Sequence, residues 1–256
     1  MSNLYPNSII VVENLTKTYG DFQAVKGISF EVQKGEIFGI LGPNGAGKTT
    51  TLEIIETLTP KTGGKVFVNG LDLDYHVQDI KHIIGVQLQS GGFFEDLNLV
   101  ETLEMFADIY NVKVDALKML EEVQLQNKAK NKPQQLSGGQ RQRFSIATTL
   151  VADPLIVFLD EPTTGLDPQA RRNLWEMIQD LKSRGKTVVL TTHYMDEAEI
   201  LCDRLAIMDG GVILTIDTPV NLINKLLESG FTKEQPKLQA DLEDVFIQMT
   251  GKKLRE

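Results

Sequence analysis

Apolar and polar positions change period several times along this chain, and each change predicts an element. Two β-like runs open it, Ile9 to Leu15 and Ala24 to Val32, on either side of Tyr19-Gly20-Asp21, where glycine and aspartate mark a turn. They predict antiparallel sheet. Ile37 to Leu41 is continuously apolar, as in a strand buried on both faces, and Leu52 to Glu56 beyond it reads as a helix. The turn cluster Thr59 to Gly64 leads to a strand, Lys65 to Val68, closed by Asn69-Gly70, and Ile83 to Gln89 reads as another strand.

From Leu99 the spacing becomes helical. Leu99, Leu103, Phe106 and Tyr110 recur at three and four, behind the capping pair Asn98 and Glu101, and a second helix passes through Leu117, Leu120 and Val123. Residues from about 93 to 152 are thus expected to form a mainly helical subdomain inserted between strands. Leu155 to Leu159 is again a buried strand; a long helix follows with Leu174, Ile178 and Leu181 facing inward, then a strand from Thr187 to Thr192. Leu205 to Met208 and Val212 to Ile216 read as a terminal hairpin around Asp209-Gly210-Gly211. Beyond the polar stretch Glu228 to Gln239, Leu242, Val245, Phe246 and Met249 predict a helical tail. Buried strands alternating with helices make the chain α/β, with one domain over 1–218 and the tail over 219–256.

The chemistry gathers at a few joints of this pattern. Gly42-Pro43-Asn44-Gly45-Ala46-Gly47-Lys48-Thr49-Thr50 lies between a buried strand and a helix. Gly42, Gly47, Lys48 and Thr49 meet the phosphate-loop spacing, in which glycines let backbone N–H groups curl around phosphates and the helix start adds its positive end. Lys48 would reach the β and γ phosphates, and the Thr49 hydroxyl a Mg²⁺ shared with them. Asp160 and Glu161 end the strand before Pro162, at the edge where an open parallel sheet binds its ligands. Asp160 suits a hold on Mg²⁺; Glu161 suits a general base for water attacking the γ-phosphate. Because successive strand residues point to opposite sides, the two need not share a role. His193 follows the next strand on the same edge. Leu136-Ser137-Gly138-Gly139-Gln140 opens a helix with a capping box and two glycines in its first turn. Glycine costs about 1 kcal/mol there against alanine. The pair reads either as a loosely capped helix or as bare backbone left for an anion. Tyr19 is either rim packing or a ring that stacks on a base.

Charge and composition narrow the partners. With 35 acidic against 26 basic residues the net charge is −9, and no stretch gathers Lys and Arg into a stripe, so nucleic acid is not expected as a partner. No apolar run approaches the roughly 20 residues that span a bilayer. The single cysteine, Cys202, excludes an internal disulfide and fits a reducing cytoplasm.

In order and spacing these pieces resemble the ATP-binding cassette (ABC) ATPases over most of the chain, from about Val11 to at least Ile216. Gly42 to Thr49 looks like Walker A, Leu155 to Asp160 like Walker B, Leu136 to Gln140 matches the family signature, and His193 matches the switch histidine. The resemblance implies a P-loop NTPase core with an N-terminal antiparallel β subdomain and the helical insertion. It implies Glu161, His193 and Lys48 as the catalytic set, Tyr19 on the adenine, and Thr49, Asp160 and Gln89 around Mg²⁺, with Gln87 the rival to Gln89. Asp167 takes the place of the loop between monomers. It also implies that ATP lies between Gly42–Thr50 of one cassette and Ser137, Gly138, Gly139 and Gln140 of another, expected to be a second copy. A separate transmembrane permease would bind near the insertion, on the inner face of the cell membrane. The tail, with Leu242 to Phe246 and Thr250-Gly251, is similar to exporter-type subunits of bacterial drug and polysaccharide systems. A soluble cassette in repair or translation is the alternative, although this chain carries no zinc or coiled-coil insertion. A GTPase is set aside because Asn131-Lys132-Pro133-Gln134 lacks the guanine-reading aspartate.

Overall fold

The computed structural model describes residues 7–87 and 92–232. Strands β1 (Ser8–Tyr19) and β2 (Phe22–Gln33) form a long hairpin, longer at both ends than the apolar runs suggested, because polar edge positions also join the ladder. Gly20 turns it with φ 57. Strand β3 (Ile37–Leu41) is buried at every position, and helix α1 (Lys48–Ile55) follows the glycine loop. β4 (Gly63–Val68) and β5 (Leu71–Asp72) close around Asn69 and Gly70, whose φ values of 50 and 78 suit a two-residue turn.

The stretch expected to be one strand from Ile83 divides differently. Helix α2 (Val77–Ile83) runs up to it and β6 (Ile84–Gln87) starts one residue later. The helix escaped the pattern because only Ile80 of it is buried.

The insertion consists of α3 (Leu99–Tyr110), α4 (Ala116–Glu122), two short 3₁₀ turns and α5 (Gly138–Thr149). Asn98 and Glu101 make the expected capping box on α3. In α4 the inward residues are Ala116 and Leu120, and Leu117 is exposed. Leu99, Leu103, Leu120, Phe144 and Ala147 form a core of their own, apart from the main one. Strand β7 (Ile156–Asp160), helix α6 (Pro168–Ser183), strand β8 (Thr187–Thr192) and helix α7 (Met195–Leu201) follow, then the hairpin β9 (Arg204–Asp209) and β10 (Val212–Asp217). Leu174, Ile178 and Leu181 are the buried face of α6, as their spacing requires.

Two sheets result. One is antiparallel, in the order β2-β1-β4-β5; the other runs β10-β9-β3-β8-β7-β6 and is parallel from β9 to β6. Their facing sides share one core, in which Phe30 of β2 stacks on Phe38 of β3 at 5.5 Å between ring centres. The long main-chain ladders leave the carboxyl ends of β3, β7 and β8 side by side, and each leads into one of the chemically marked loops. Chain contacts divide the molecule after Val220. Helix α8 (Pro219–Glu228) buries none of its residues, and the segment predicted as a helical tail, with Leu242 to Met249, lies outside the described residues.

Candidate active site

The glycine loop is shaped by its own chain. Gly42 donates its N–H to the Thr192 carbonyl at 3.2 Å, tying the loop to the end of β8. A Cβ on Gly42 would fall 2.1 Å from the Met208 carbonyl oxygen, and one on Gly47, whose φ is 99, would fall 2.6 Å from the Ala24 carbonyl oxygen. Both positions demand glycine. Gly45 has φ 80 and open space where its Cβ would be. Ala46 is buried beneath the loop, whereas Pro43 and Asn44 are exposed. Lys48 is 4% exposed and donates to the carbonyls of Gly42 at 2.9 Å and Pro43 at 3.1 Å, so its ammonium sits inside the curl of the loop. Thr49 and Thr50 are half-buried in the first turn of α1.

Both acids meet this loop. Asp160, the last residue of β7, accepts from the Thr49 hydroxyl at 3.3 Å and from the Thr191 hydroxyl. Strand alternation does not separate Glu161 from it, because Glu161 leaves the strand with φ 47, in the left-handed region. Its N–H is fixed by the Thr191 hydroxyl at 3.0 Å, and its carboxylate turns back to Lys48 Nζ at 3.4 Å. Thr164 donates to Glu161 Oε2 at 3.2 Å. His193 Nδ1 lies 3.2 Å from the same oxygen, in an alignment that falls short of a hydrogen bond. Burial alone would raise the Glu161 carboxyl, but His193 and the Lys48 charge outweigh it and hold it below the ordinary carboxylate value. An ionised carboxylate thus stands beside an ammonium, a hydroxyl-bound aspartate and an imidazole, all on one sheet edge.

Asp160, buried and held by two hydroxyls, offers hard oxygen donors of the kind Mg²⁺ takes together with phosphate oxygens. Among the described residues no cluster of three or more His, Cys, Asp or Glu could hold a metal by itself.

The second glycine stretch stands apart. Ser137 and Gln140 form a capping box at the start of α5, with 3.3 Å from the Gln140 N–H to the Ser137 hydroxyl and 3.1 Å in return. The two glycines differ: a Cβ on Gly139 would meet the Ala170 Cβ of α6 at 2.7 Å, while one on Gly138 would meet only Leu166, at 3.8 Å. One glycine is there for packing. Tyr19, at the end of β1, is 47% exposed, and Lys17 Nζ lies 4.6 Å over its ring. Asp167 caps α6 through the Ala170 N–H at 2.8 Å. Gln89 lies outside the described residues, whereas Gln87 is buried in β6 with its Oε1 unpartnered among them.

The family model described as "ABC transporter" matches residues 25–164. The chain belongs to that family. The cassette is 41% identical over 223 residues to the Nod factor export ATP-binding protein I of Burkholderia lata, covering 85% of this chain and 73% of that one. It is 39% identical to the linearmycin resistance ATP-binding protein LnrL of Bacillus subtilis, covering 85% and 72%. Among solved structures, an ATP binding subunit of an ABC transporter superposes with TM-score 0.77 at 26% identity, over 95% of this chain and 100% of that one. A dimeric cassette in a post-hydrolysis state, bound to ADP and Pi, gives TM-score 0.74 at 30% identity, over 82% and 98%.

The chain is therefore an ATP-binding ABC ATPase, and among its described residues no helix is long and apolar enough to cross a membrane. Sequence reasoning missed Thr191 and Thr164, which position both acids of the cassette. The signal for Thr191 was present: polar Thr191-Thr192 follows the apolar run Val188 to Leu190 at the strand's carboxyl end. Nothing in local sequence marked the Met208 and Ala24 carbonyls that enforce Gly42 and Gly47, because both come from distant strands.

Proposed function

We propose that this cassette is the motor subunit of an exporter, hydrolysing MgATP between two copies of itself and driving a separate membrane permease. The observation that carries the reading is the meeting of Lys48, Glu161, Asp160 and His193 on one sheet edge. ATP lays its phosphates in the curl of Gly42 to Thr50, where Lys48 and the N-terminus of α1 meet the negative charge. Thr49 and Asp160 would hold Mg²⁺, with Gln89 expected to complete the set, and a bound ion would supply charge neutralisation for the phosphates. Glu161, kept ionised, orients the attacking water and takes its proton; His193, beside it, fixes the carboxylate and meets the γ-phosphate. Tyr19 presents its open face to the adenine.

Ser137, Gly138, Gly139 and Gln140 of a second copy close over the γ-phosphate from the other side. The dimeric relative with ADP and Pi supports that arrangement. Export is the direction because relatives near 40% identity are named for Nod factor export and linearmycin resistance. The permease docks in a groove between the main sheet and the insertion, about 490 Å³, where the exposed apolar side chains Leu58, Ile109 and Tyr110 converge. Docked there, the cassette would work at the inner face of the membrane.

The test is the solution mass of purified Glu161→Gln protein with and without ATP. A monomer that dimerises only with ATP is expected. A chain that binds ATP and stays monomeric would overturn the homodimer.

A further inference from the structure

The groove assigned above to the permease is not purely apolar. Glu56, at the C-terminal end of α1, lines it and is 3% exposed, and its Oε1 has no hydrogen-bond partner among the described residues. Burial first, and then the negative charge of Asp160 and Glu53, push the carboxyl up to about 8. Lys81 and His82 also line the groove, and among the described residues no ion pair joins either of them to Glu56.

Oε1 is already out of water without a partner, and a buried unpaired polar group costs free energy that an apolar segment seated in this groove would leave in place. A segment carrying a cation removes that cost, because a positive charge set beside the unpartnered oxygen favours the ionised carboxylate and pairs with it. We propose that Glu56 is the anchor for a basic side chain carried by the docking segment of the permease, whose apolar face covers Leu58, Ile109 and Tyr110. This rests on the exporter reading above, because the groove then has a membrane partner. Glu56 is a recognition residue and touches neither nucleotide nor water in the reaction; its closeness to Asp160 places the docked cation within electrostatic reach of the Mg²⁺-binding carboxylate.

The experiment begins with the wild-type chain purified from membranes of its own host, and with the integral membrane protein that accompanies it identified by mass spectrometry. That protein, in detergent, is then titrated with wild-type, Glu56→Gln and Glu56→Leu chains, each first shown to bind ATP as the wild type does. Both variants are expected to weaken association roughly tenfold or more, as loss of one partner of a buried charge pair does. Glu56→Lys should abolish binding, and replacing one basic residue of the permease's cytoplasmic segments by glutamate should restore it. Equal Kd values for wild type, Gln and Leu would overturn the anchor and leave the exporter reading intact. If no integral membrane protein accompanies the wild-type chain, the exporter reading fails, and the anchor with it.

Discussion

Two glycine-rich turns open helices in this molecule, and they are built in opposite ways. Gly42 to Thr49 is closed by its own chain: the Met208 and Ala24 carbonyls leave no room for side chains at Gly42 and Gly47, and Lys48 is held by two loop carbonyls and faces Glu161. Ser137 to Gly139 is open. Its side-chain capping is complete within α5, Gly139 answers to Ala170, and Gly138 is exposed, with nothing nearer than 3.8 Å to a Cβ. The difference teaches that a glycine can be demanded from inside the chain or from outside it. Every enforced glycine of the first turn has an internal cause; Gly138 has none, and its bare backbone makes sense against a second molecule.

The comparison breaks most severely if the first turn is not a complete catalytic half. Glu161→Gln should lower steady-state phosphate release by roughly 10²- to 10⁴-fold while equilibrium ATP binding persists. Unchanged turnover would move the general base elsewhere. Because Glu161 is held below the ordinary carboxylate value in the free protein, it is ionised throughout the neutral range. An acid limb of kcat/KM centred above that ordinary value therefore has another origin.

The second turn is tested by Gly138→Ala. The methyl has room, and alanine is a better helix residue by about 1 kcal/mol, so the folded chain should be as stable as wild type or more so. Phosphate release should nonetheless fall, by roughly 10²-fold, if backbone N–H groups here stabilise charge on a γ-phosphate held by another copy. A variant that is stabilised and fully active would reduce the stretch to an ordinary capped helix.

The contrast between the turns also shows what the sequence could reveal. Strands buried on both faces, β3, β7 and β8, were legible because continuous apolar runs ended in marked residues, and the capping boxes at Asn98 and Ser137 were legible because they are local. Helix α2 was not, since a helix that buries one residue leaves no period to find. Alternation along β7 suggested that Asp160 and Glu161 diverge, but it applies only while the backbone stays extended, and Glu161 has φ 47. The two causes of glycine at Gly138 and Gly139 were indistinguishable in sequence, because Ala170 approaches from a separate helix.

A smaller effect sharpens the same distinction. Gly139→Ala places a methyl 2.7 Å from the Ala170 Cβ, and overpacking of this kind costs about 1 to 3 kcal/mol, partly offset by about 1 kcal/mol of helix propensity. A net destabilisation in urea titration is expected, opposite in sign to Gly138→Ala. Two variants with the same sign would mean that the glycines do not have separate causes.

The last test concerns the far end of the helix that the first turn opens. Glu56 closes α1, and its carboxyl is raised from 4.5 to about 8. Between those values the folded protein keeps a proton that the unfolded chain has released. Folding therefore takes up a proton, and stability falls as pH rises from about 4.5 to about 8, then levels off. The slope reaches at most about 1.4 kcal/mol per pH unit, the limit for one proton. Glu56→Gln removes this contribution, so variant and wild type should differ little at about pH 5 and the variant should gain relative stability toward pH 8. Urea midpoints across that range measure the divergence. Parallel curves would mean that Glu56 is already ionised in the isolated chain, and that the interior behind the phosphate loop compensates its charge where the geometry shows an unpartnered carboxyl oxygen.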